Sequence, residues 1–360
     1  MINVMVACAD YPSENNRAMQ FVHVRNKYYK KNGINVTVLN FACKASYVYE
    51  GIKVISLEEF YSHKSNYLDN ILICHAPNLR NHYRFLCKNR NTFSRFLFFF
   101  HGHEIVKINK AYPKPYDYMR GNVIKRIMQD VYDSLKLNVW RRYFLKKDIN
   151  SPLIFVSNSL KNDFLKYLKL SPKDISKRSC IIHNSVGEIF EKESYRPNKN
   201  ESRFDFITIR SNLDSSVYCI DLVTEIAKQN PSKTFLIIGR GKYFDYNEKP
   251  ENITLINRAL LQEELINYIN SSDIALMPTR RDSQGVMTCE LATFGIPVIT
   301  SDLEVCREMF EDFSDVHMFS EKELLEKEIK KFSKKNDGKV MNFFSTNTIK
   351  NEIDVINRHS

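Results

Sequence analysis

What the sequence lacks narrows its class before any motif is read. Its eight cysteines, at positions 8, 43, 74, 87, 180, 219, 289 and 306, form no CxxC pair and no zinc-like cluster. Several sit inside apolar runs, so they read as reduced, buried small hydrophobes of a cytosolic protein. Apolar runs such as Phe96–Phe100 are too short to span a bilayer, which leaves a soluble or peripheral protein. The opening residues MINVMVACADYPS carry no basic stretch and pass straight into a strand pattern, so they are not read as a signal peptide. No DxD and no histidine-rich cluster stands out, and neither a metal nor another cofactor is expected. Glycine is scarce, at 10 of 360 residues. The GxG at Gly239-Arg240-Gly241 lacks the third glycine and the following helix of a dinucleotide site. No internal repeat is visible beyond two βα-rich halves.

What is present points to packed domains. The length suits two of ordinary size, and 43% hydrophobic with 12% aromatic residues argues against disorder. The net charge of +11 is concentrated: between Ile105 and Cys180 stand 17 Lys and Arg against six Asp and no Glu. Such a surplus seeks polyanions. Within it, Ile124, Ile127, Met128, Val131 and Leu135 keep helical spacing. Lys125, Arg126, Arg141, Arg142, Lys146 and Lys147 flank them, with Tyr132, Trp140, Tyr143 and Phe144. Two readings stay open for residues 121–147. They form core helices with a solvated basic face, or a basic amphipathic helix in a membrane interface.

The most informative stretch is Ser272 to Asp302, SDIALMPTRRDSQGVMTCELATFGIPVITSD, which reads as strand, loop, helix, strand. Ile274 to Met277 is a short buried-strand run ended by Pro278. Gly285 permits a tight turn, Val286 to Phe294 has helical spacing, and Gly295 sits where a C-cap glycine belongs. Asp282 in the loop and Glu290 on the helix bracket the turn, with seven residues between them. Free amides at that helix start suit a phosphate, and an acid on either side suits hydroxyls. A sugar nucleotide has that layout.

This string resembles the signature of the group 1 retaining glycosyltransferases of the GT-B fold (family 4-like). It matches at Pro278-Thr279, Glu290, Ala292, Gly295, Pro297, Val298 and Ile299, with Asp282 where the family usually has its first Glu. The resemblance implies an α/β protein of two Rossmann-like domains facing a cleft. An acceptor-side domain would span residues 1–186, a polar linker 187–203 and a nucleotide-sugar domain 204–340. A closing helix over 341–360 would cross back to the first domain. The opening βαβ pattern (strand from Ile2, helix Ala18 to Lys31, strand Val36 to Phe41) fits, although the first loop, Asp10 to Asn16, has no glycine where the family is often glycine-rich. A charged helix pattern runs from Glu321 to Phe332, followed by a break over Ser333 to Lys339.

By the same resemblance, Glu290 binds the donor ribose and Asp282 holds sugar hydroxyls, with the backbone of Gln284, Gly285 and Val286 beside it. Arg210, directly after a strand, meets the diphosphate, a task that suits a planar and permanently charged guanidinium. His101, in FFFHGHE, contacts the sugar, with His103 as its rival. Gly239 ends a strand beside the donor, and Arg258 to Leu260 borders the base. The family adds a lysine several residues after its arginine; here none lies between Arg210 and Lys228. Arg280 and Arg281 are the first substitutes, with Arg240 and Lys242 behind them.

The leading expectation is a metal-independent, retaining hexosyl-type transferase. It would move a sugar from a nucleotide-sugar donor to a glycan or lipid-linked glycan acceptor in bacterial surface polysaccharide synthesis (capsule or O-antigen). The expected location is cytoplasmic, peripheral on the inner face of the plasma membrane. Lys125, Arg126, Trp140, Arg141 and Arg142 would mark the acceptor or anionic-membrane side. The alternative is a catalytically weak homologue serving as a partner subunit. A nucleic-acid binder rests on the basic patch alone and is not expected.

Overall fold

The computed structural model describes residues 2–14, 18–146, 151–198, 203–326 and 339–358. Its packing divides the chain into two units. One comprises Met1–Ile108, Met128–Ser185 and Ser345–Ser360; the other comprises Asn109–Ile127 and Val186–Phe344.

The first unit is built on eight strands: β1 (Asn3–Cys8), β2 (Asn35–Asn40), β3 (Tyr47–Tyr49), β4 (Ile52–Ile55), β5 (Ile71–His75), β6 (Arg95–Phe100), β7 (Leu153–Phe155) and β8 (Ser179–Ile181). Their order is β3-β4-β2-β1-β5-β6-β7-β8, parallel throughout except for the β3–β4 pair. Runs such as ILICH and RFLFFF are apolar without alternation because helices cover both faces of a parallel sheet. Helix α1 (Gln20–Lys31) follows β1, and α2 (Val123–Phe144) follows β6 as one continuous helix. The second unit carries β9 (Phe204–Ile209), β10 (Phe235–Ile238), β11 (Ile253–Ile256), β12 (Ser272–Met277), β13 (Val298–Ser301) and β14 (Val316–Phe319). All six are parallel in the order β11-β10-β9-β12-β13-β14. Helix α3 (Val286–Phe294) joins β12 to β13. Its residues from Thr288 to Phe294 are all buried, as expected of a helix that is apolar nearly all round.

The last helix, α4 (Ile349–Asn357), packs within the first unit. Ile349 and Ile356 are fully buried there. Glu352 accepts from Arg25 Nε at 2.8 Å and from the Tyr29 hydroxyl at 2.6 Å, both on α1.

Several segments differ from the sequence reading. Residues 109–127 pack with the second unit, because Tyr116 and Tyr118 donate to Asp221 and Asp214 at 2.9 and 2.8 Å. The polar stretch read as a linker is packed over its first half, where Phe190 and Tyr195 enter the second unit's core; residues 199–202 lie outside the described residues. The β3–β4 hairpin and β14 were not foreseen, being runs of three or four residues with little periodicity. Of the charged segment read as a helix from Glu321, Glu321–Glu326 is helical. Its remainder and most of the break after it fall in 327–338, outside the described residues.

Candidate functional site

In open parallel sheets ligands gather beyond the carboxyl ends of the strands, where the order of connection reverses. In the second unit that point lies between β9 and β12. Arg210 immediately follows β9, and the loop from Pro278 to Gly285 follows β12.

Arg210 is buried, with one Nη donating to the Pro278 carbonyl at 2.6 Å and its guanidinium 5.1 Å from the Tyr218 ring centre. Its Nε is buried without a partner. Burial lowers its pKa, and Asp282 opposes that shift from nearby. Gly239 explains how the arginine backbone is held: a side chain there would collide with the Arg210 carbonyl oxygen and with Leu213. Gly239 is thus a packing requirement beneath the site.

Asp282 is half-buried, and its Oδ1 accepts the amides of Ser283, Gln284 and Gly285 at 2.8, 3.2 and 2.7 Å. Of the three amides expected beside a sugar, those of Gln284 and Gly285 are therefore taken by Asp282, and that of Val286 is not. One Asp282 oxygen ties the turn, and Oδ2 stands over Gly285, whose φ of 71° favours glycine. Glu290, on α3, is buried and accepts the Gly187 amide through Oε1 at 3.1 Å. Burial lifts its carboxyl to about 7, with the Gly187 amide pulling the other way. Gly187 and Gln262 were missed in the sequence. A Cβ on Gly187 would meet the end of the exposed Gln262 side chain and stand 3.3 Å from Glu290 Oε1, so Gly187 packs closely beside that carboxylate.

The proposed substitutes for the missing lysine are engaged elsewhere. Arg280 is held by both oxygens of Asp221, by both of Glu321 and by the Ser216 carbonyl, at 2.9 to 3.0 Å. Arg281 lies over the Tyr112 ring and donates to the Ala111 carbonyl at 3.3 Å. Arg258 is exposed and paired with Glu264 at 3.0 Å, while Leu260 leans on the core. Arg240 and Lys242 are exposed just past β10.

In the first unit His101 follows β6, with Nε2 3.0 Å from Nδ1 of the buried His75 at the end of β5. Burial holds both rings well below the usual histidine range, and the Arg25 cation adds to the effect on each. Both are therefore neutral near pH 7. Glu104, buried and unforeseen, accepts the amides of His101 and Gly102 and fixes the turn. Gly102 has φ 151°, which a side chain would strain. His103 is exposed.

On α2 the structure separates the basic residues from the tryptophan. Lys125, Arg126, Arg141 and Arg142 are exposed. Trp140 is buried, stacked on Phe144 at 5.3 Å, and does not face a membrane; it lies on the helix face that carries Asp133, Leu137 and Phe144 inward.

Comparison with known proteins fits this geometry. The family model of the group 1 glycosyl transferases matches residues 208–332. No curated protein matches the chain in sequence. Among solved structures, sucrose-phosphate synthase from Thermosynechococcus elongatus is similar at 12% identity, over 84% of this chain and 82% of that one, with a TM-score of 0.59. WaaG, a glycosyltransferase involved in lipopolysaccharide biosynthesis, is similar at 13% identity over 90% and 88%, with a TM-score of 0.58. A trehalose-6-phosphate protein from E. coli bound with UDP-2-fluoro glucose is similar at 11% over 90% and 89%, with a TM-score of 0.54. Likeness at such identities establishes the fold, and the family match adds the signature stretch. Residues 208–332 thus match the group 1 glycosyl transferases, and the chain has the GT-B fold of its structural neighbours.

Proposed function

We propose that the protein transfers a sugar from a nucleotide-sugar donor to a glycan or lipid-linked glycan acceptor in surface polysaccharide synthesis, with retention of configuration. The observation that carries this reading is Arg210: a buried guanidinium with an unpartnered Nε at the reversal point of a parallel sheet, on the strand next to the Asp282 turn. A buried cation without a carboxylate partner is costly unless an anion arrives. A diphosphate is such an anion, and α3 adds N-terminal amides without intrahelical acceptors.

In this reading Arg210 and the start of α3 take up the charge of the departing diphosphate, without a metal or other cofactor. Glu290, through the oxygen not held by Gly187, accepts the ribose hydroxyls. Asp282 Oδ2 and the Val286 amide take the sugar. The UDP-2-fluoro glucose held by the E. coli relative and the lipopolysaccharide role of WaaG support the donor and acceptor classes. The basic surplus of residues 105–180 supports work at an anionic membrane, on the inner face of the plasma membrane. Among the described residues no helix is long and apolar enough to cross one.

A second reading, a partner subunit that binds donor without efficient transfer, is favoured by one specific observation. Arg280 and Arg281 are both engaged, and no lysine stands between Arg210 and Lys228. Thermal shift with UDP, GDP, ADP, TDP and CMP, on wild type and Glu290→Ala, tests the donor site. One nucleotide should stabilise the wild type and not the variant. No shift with any of them would remove the donor site, while binding without turnover of the matching nucleotide-sugar would select the second reading.

A further inference from the structure

Residues 109–127 belong to the second unit, although the chain on either side of them belongs to the first. Their tyrosines settle on the loops at the carboxyl ends of β9, β10 and β12. Tyr118 donates to Asp214 Oδ1, in the loop after β9, at 2.8 Å, and the same oxygen accepts the Lys242 amide, just past β10, at 2.8 Å. The Tyr118 ring stacks on Tyr246 at 4.4 Å. Tyr116 lies against Tyr243 at 5.0 Å and donates to Asp221 Oδ1 at 2.9 Å. That oxygen also accepts from Arg280, in the loop after β12, at 2.9 Å. The next residue, Arg281, lies over the Tyr112 ring and donates to the Ala111 carbonyl. Two carboxylate oxygens are thus each shared between a tyrosine of this segment and a loop of the candidate site. Arg280 and Arg281 lead directly into Asp282, so the segment grips the base of the turn whose amides Asp282 gathers.

We propose that residues 109–127 are a strap that positions the donor loops, with Tyr116 and Tyr118 as its positioning residues. The inference rests on the donor-site reading above and adds to it a segment outside the matched residues 208–332. Ion pairs alone hold the turn poorly. The Asp221 and Glu321 side chains that pair with Arg280 are 39% and 45% exposed, and pairs so exposed contribute little by themselves. A hydroxyl bonded to a carboxylate contributes more, and the rings of Tyr116 and Tyr118, packed on the core below, give each hydroxyl a fixed place. Site loops keep their geometry only when the residues behind them are held in this way. The strap also accounts for two cations that the diphosphate does not use: Arg280 and Arg281 fix the turn and leave the anion to Arg210. Coupling of this kind is reciprocal, so a strap that orders the loops for a nucleotide is itself steadied when the nucleotide binds.

The test is hydrogen exchange on the full chain, wild type and the pair Tyr116→Phe/Tyr118→Phe, which keeps both rings and removes both hydroxyls. Melting temperatures are measured first. Without ligand, the peptide covering 279–286 should exchange at least about fivefold faster in the pair, and affinity for whichever of UDP, GDP, ADP and TDP binds the wild type should fall roughly tenfold. The same diphosphate should slow exchange of residues 109–120 in the wild type. Faster exchange confined to the strap itself overturns the proposal, since the segment is then only anchored on the second unit. Faster exchange of 279–286 with unchanged affinity also overturns it, because the order of the loop would not serve the donor. If the pair does not fold, the wild type decides: a diphosphate that binds without slowing the strap overturns the proposal. Exchange of 279–286 needs no ligand, so failure of the donor reading, seen as no nucleotide shift in the wild type, is distinguishable from failure of the strap.

Discussion

Two buried arginines, one in each unit, are held in opposite ways. Arg25 on α1 is fully buried, and its Nε donates to Glu352 at 2.8 Å while one Nη reaches the Phe21 carbonyl at 3.1 Å. Arg210 is nearly as deep, but among the described residues no carboxylate pairs with it. Like Arg25 it has a carbonyl, an aromatic face and one buried nitrogen without a partner; the carboxylate is the difference. The first arginine is neutralised by its own fold. The second is left for something that arrives. Desolvating a cation costs several kcal/mol even after relaxation, so a chain keeps one that only the nearby Asp282 offsets, without pairing, where a ligand makes up the difference. Glu290 on α3, lifted to about 7 by burial, is likewise a charge that the fold leaves without an opposite partner.

The largest effect should come from unmaking the structural pair. Glu352→Ala leaves Arg25 buried without its carboxylate and the Tyr29 hydroxyl without its acceptor. Removing one partner of such a pair costs about 3–5 kcal/mol. Denaturant unfolding should show a loss of that size. A loss below about 1 kcal/mol would erase the contrast with Arg210.

Next comes Glu290, where the pH dependence has a definite sign. Its folded pKa is raised to about 7, against 4.5 for an ordinary glutamate. Below pH 4.5 the carboxyl is neutral in both the folded and the unfolded chain, and folding bears no cost from it. Between these values the unfolded chain ionises while the folded one keeps its proton, so stability falls as pH rises and then levels off above about 7. The full cost is roughly 3 kcal/mol at about 1.4 kcal/mol per pH unit. Glu290→Gln keeps an acceptor for the Gly187 amide and cannot ionise. It should therefore be more stable than wild type at about pH 8, equal to it at about pH 4, and unable to bind nucleotide with wild-type affinity. Parallel pH–stability curves for the two proteins would mean that the carboxyl is not held up by burial.

Much of this was legible in the sequence, for identifiable reasons. Buried parallel strands are continuous apolar runs, so β5, β6, β9, β10 and β12 could be read directly. Residues immediately after such strands are positioned by the backbone alone, which is why Arg210, His101 and the Asp282 loop could be named from the chain. What could not be read was set by side chains meeting across the fold. The inward burial of Trp140 depends on the Asp133–Lys136 pair choosing the face of α2, and aromatic residues occur on both faces of that helix in sequence. The engagement of Arg280 needs Asp221 and Glu321, separated from it by 59 and 41 residues. Gly187 looked like the start of a polar linker, and its role appears only once Glu290 and Gln262 converge on it.

Arg210→Met sharpens the comparison with the least disturbance to the fold. Methionine fills most of the space, and no carboxylate is orphaned, because Asp282 Oδ1 already holds three amides. One bond to the Pro278 carbonyl and the contact with Tyr218 are lost, against which the desolvation of a cation is relieved. Stability should change by no more than about 1 kcal/mol in either direction. Affinity for whichever nucleoside diphosphate stabilises the wild type should fall roughly 100-fold, the equivalent of about 2.7 kcal/mol, when titrated calorimetrically. The parent nucleoside, which carries no phosphate, should bind both proteins equally. That ratio separates the two roles: a structural arginine would lose stability and leave the ratio unchanged, whereas an arginine kept for an arriving anion loses the phosphate contribution and little else.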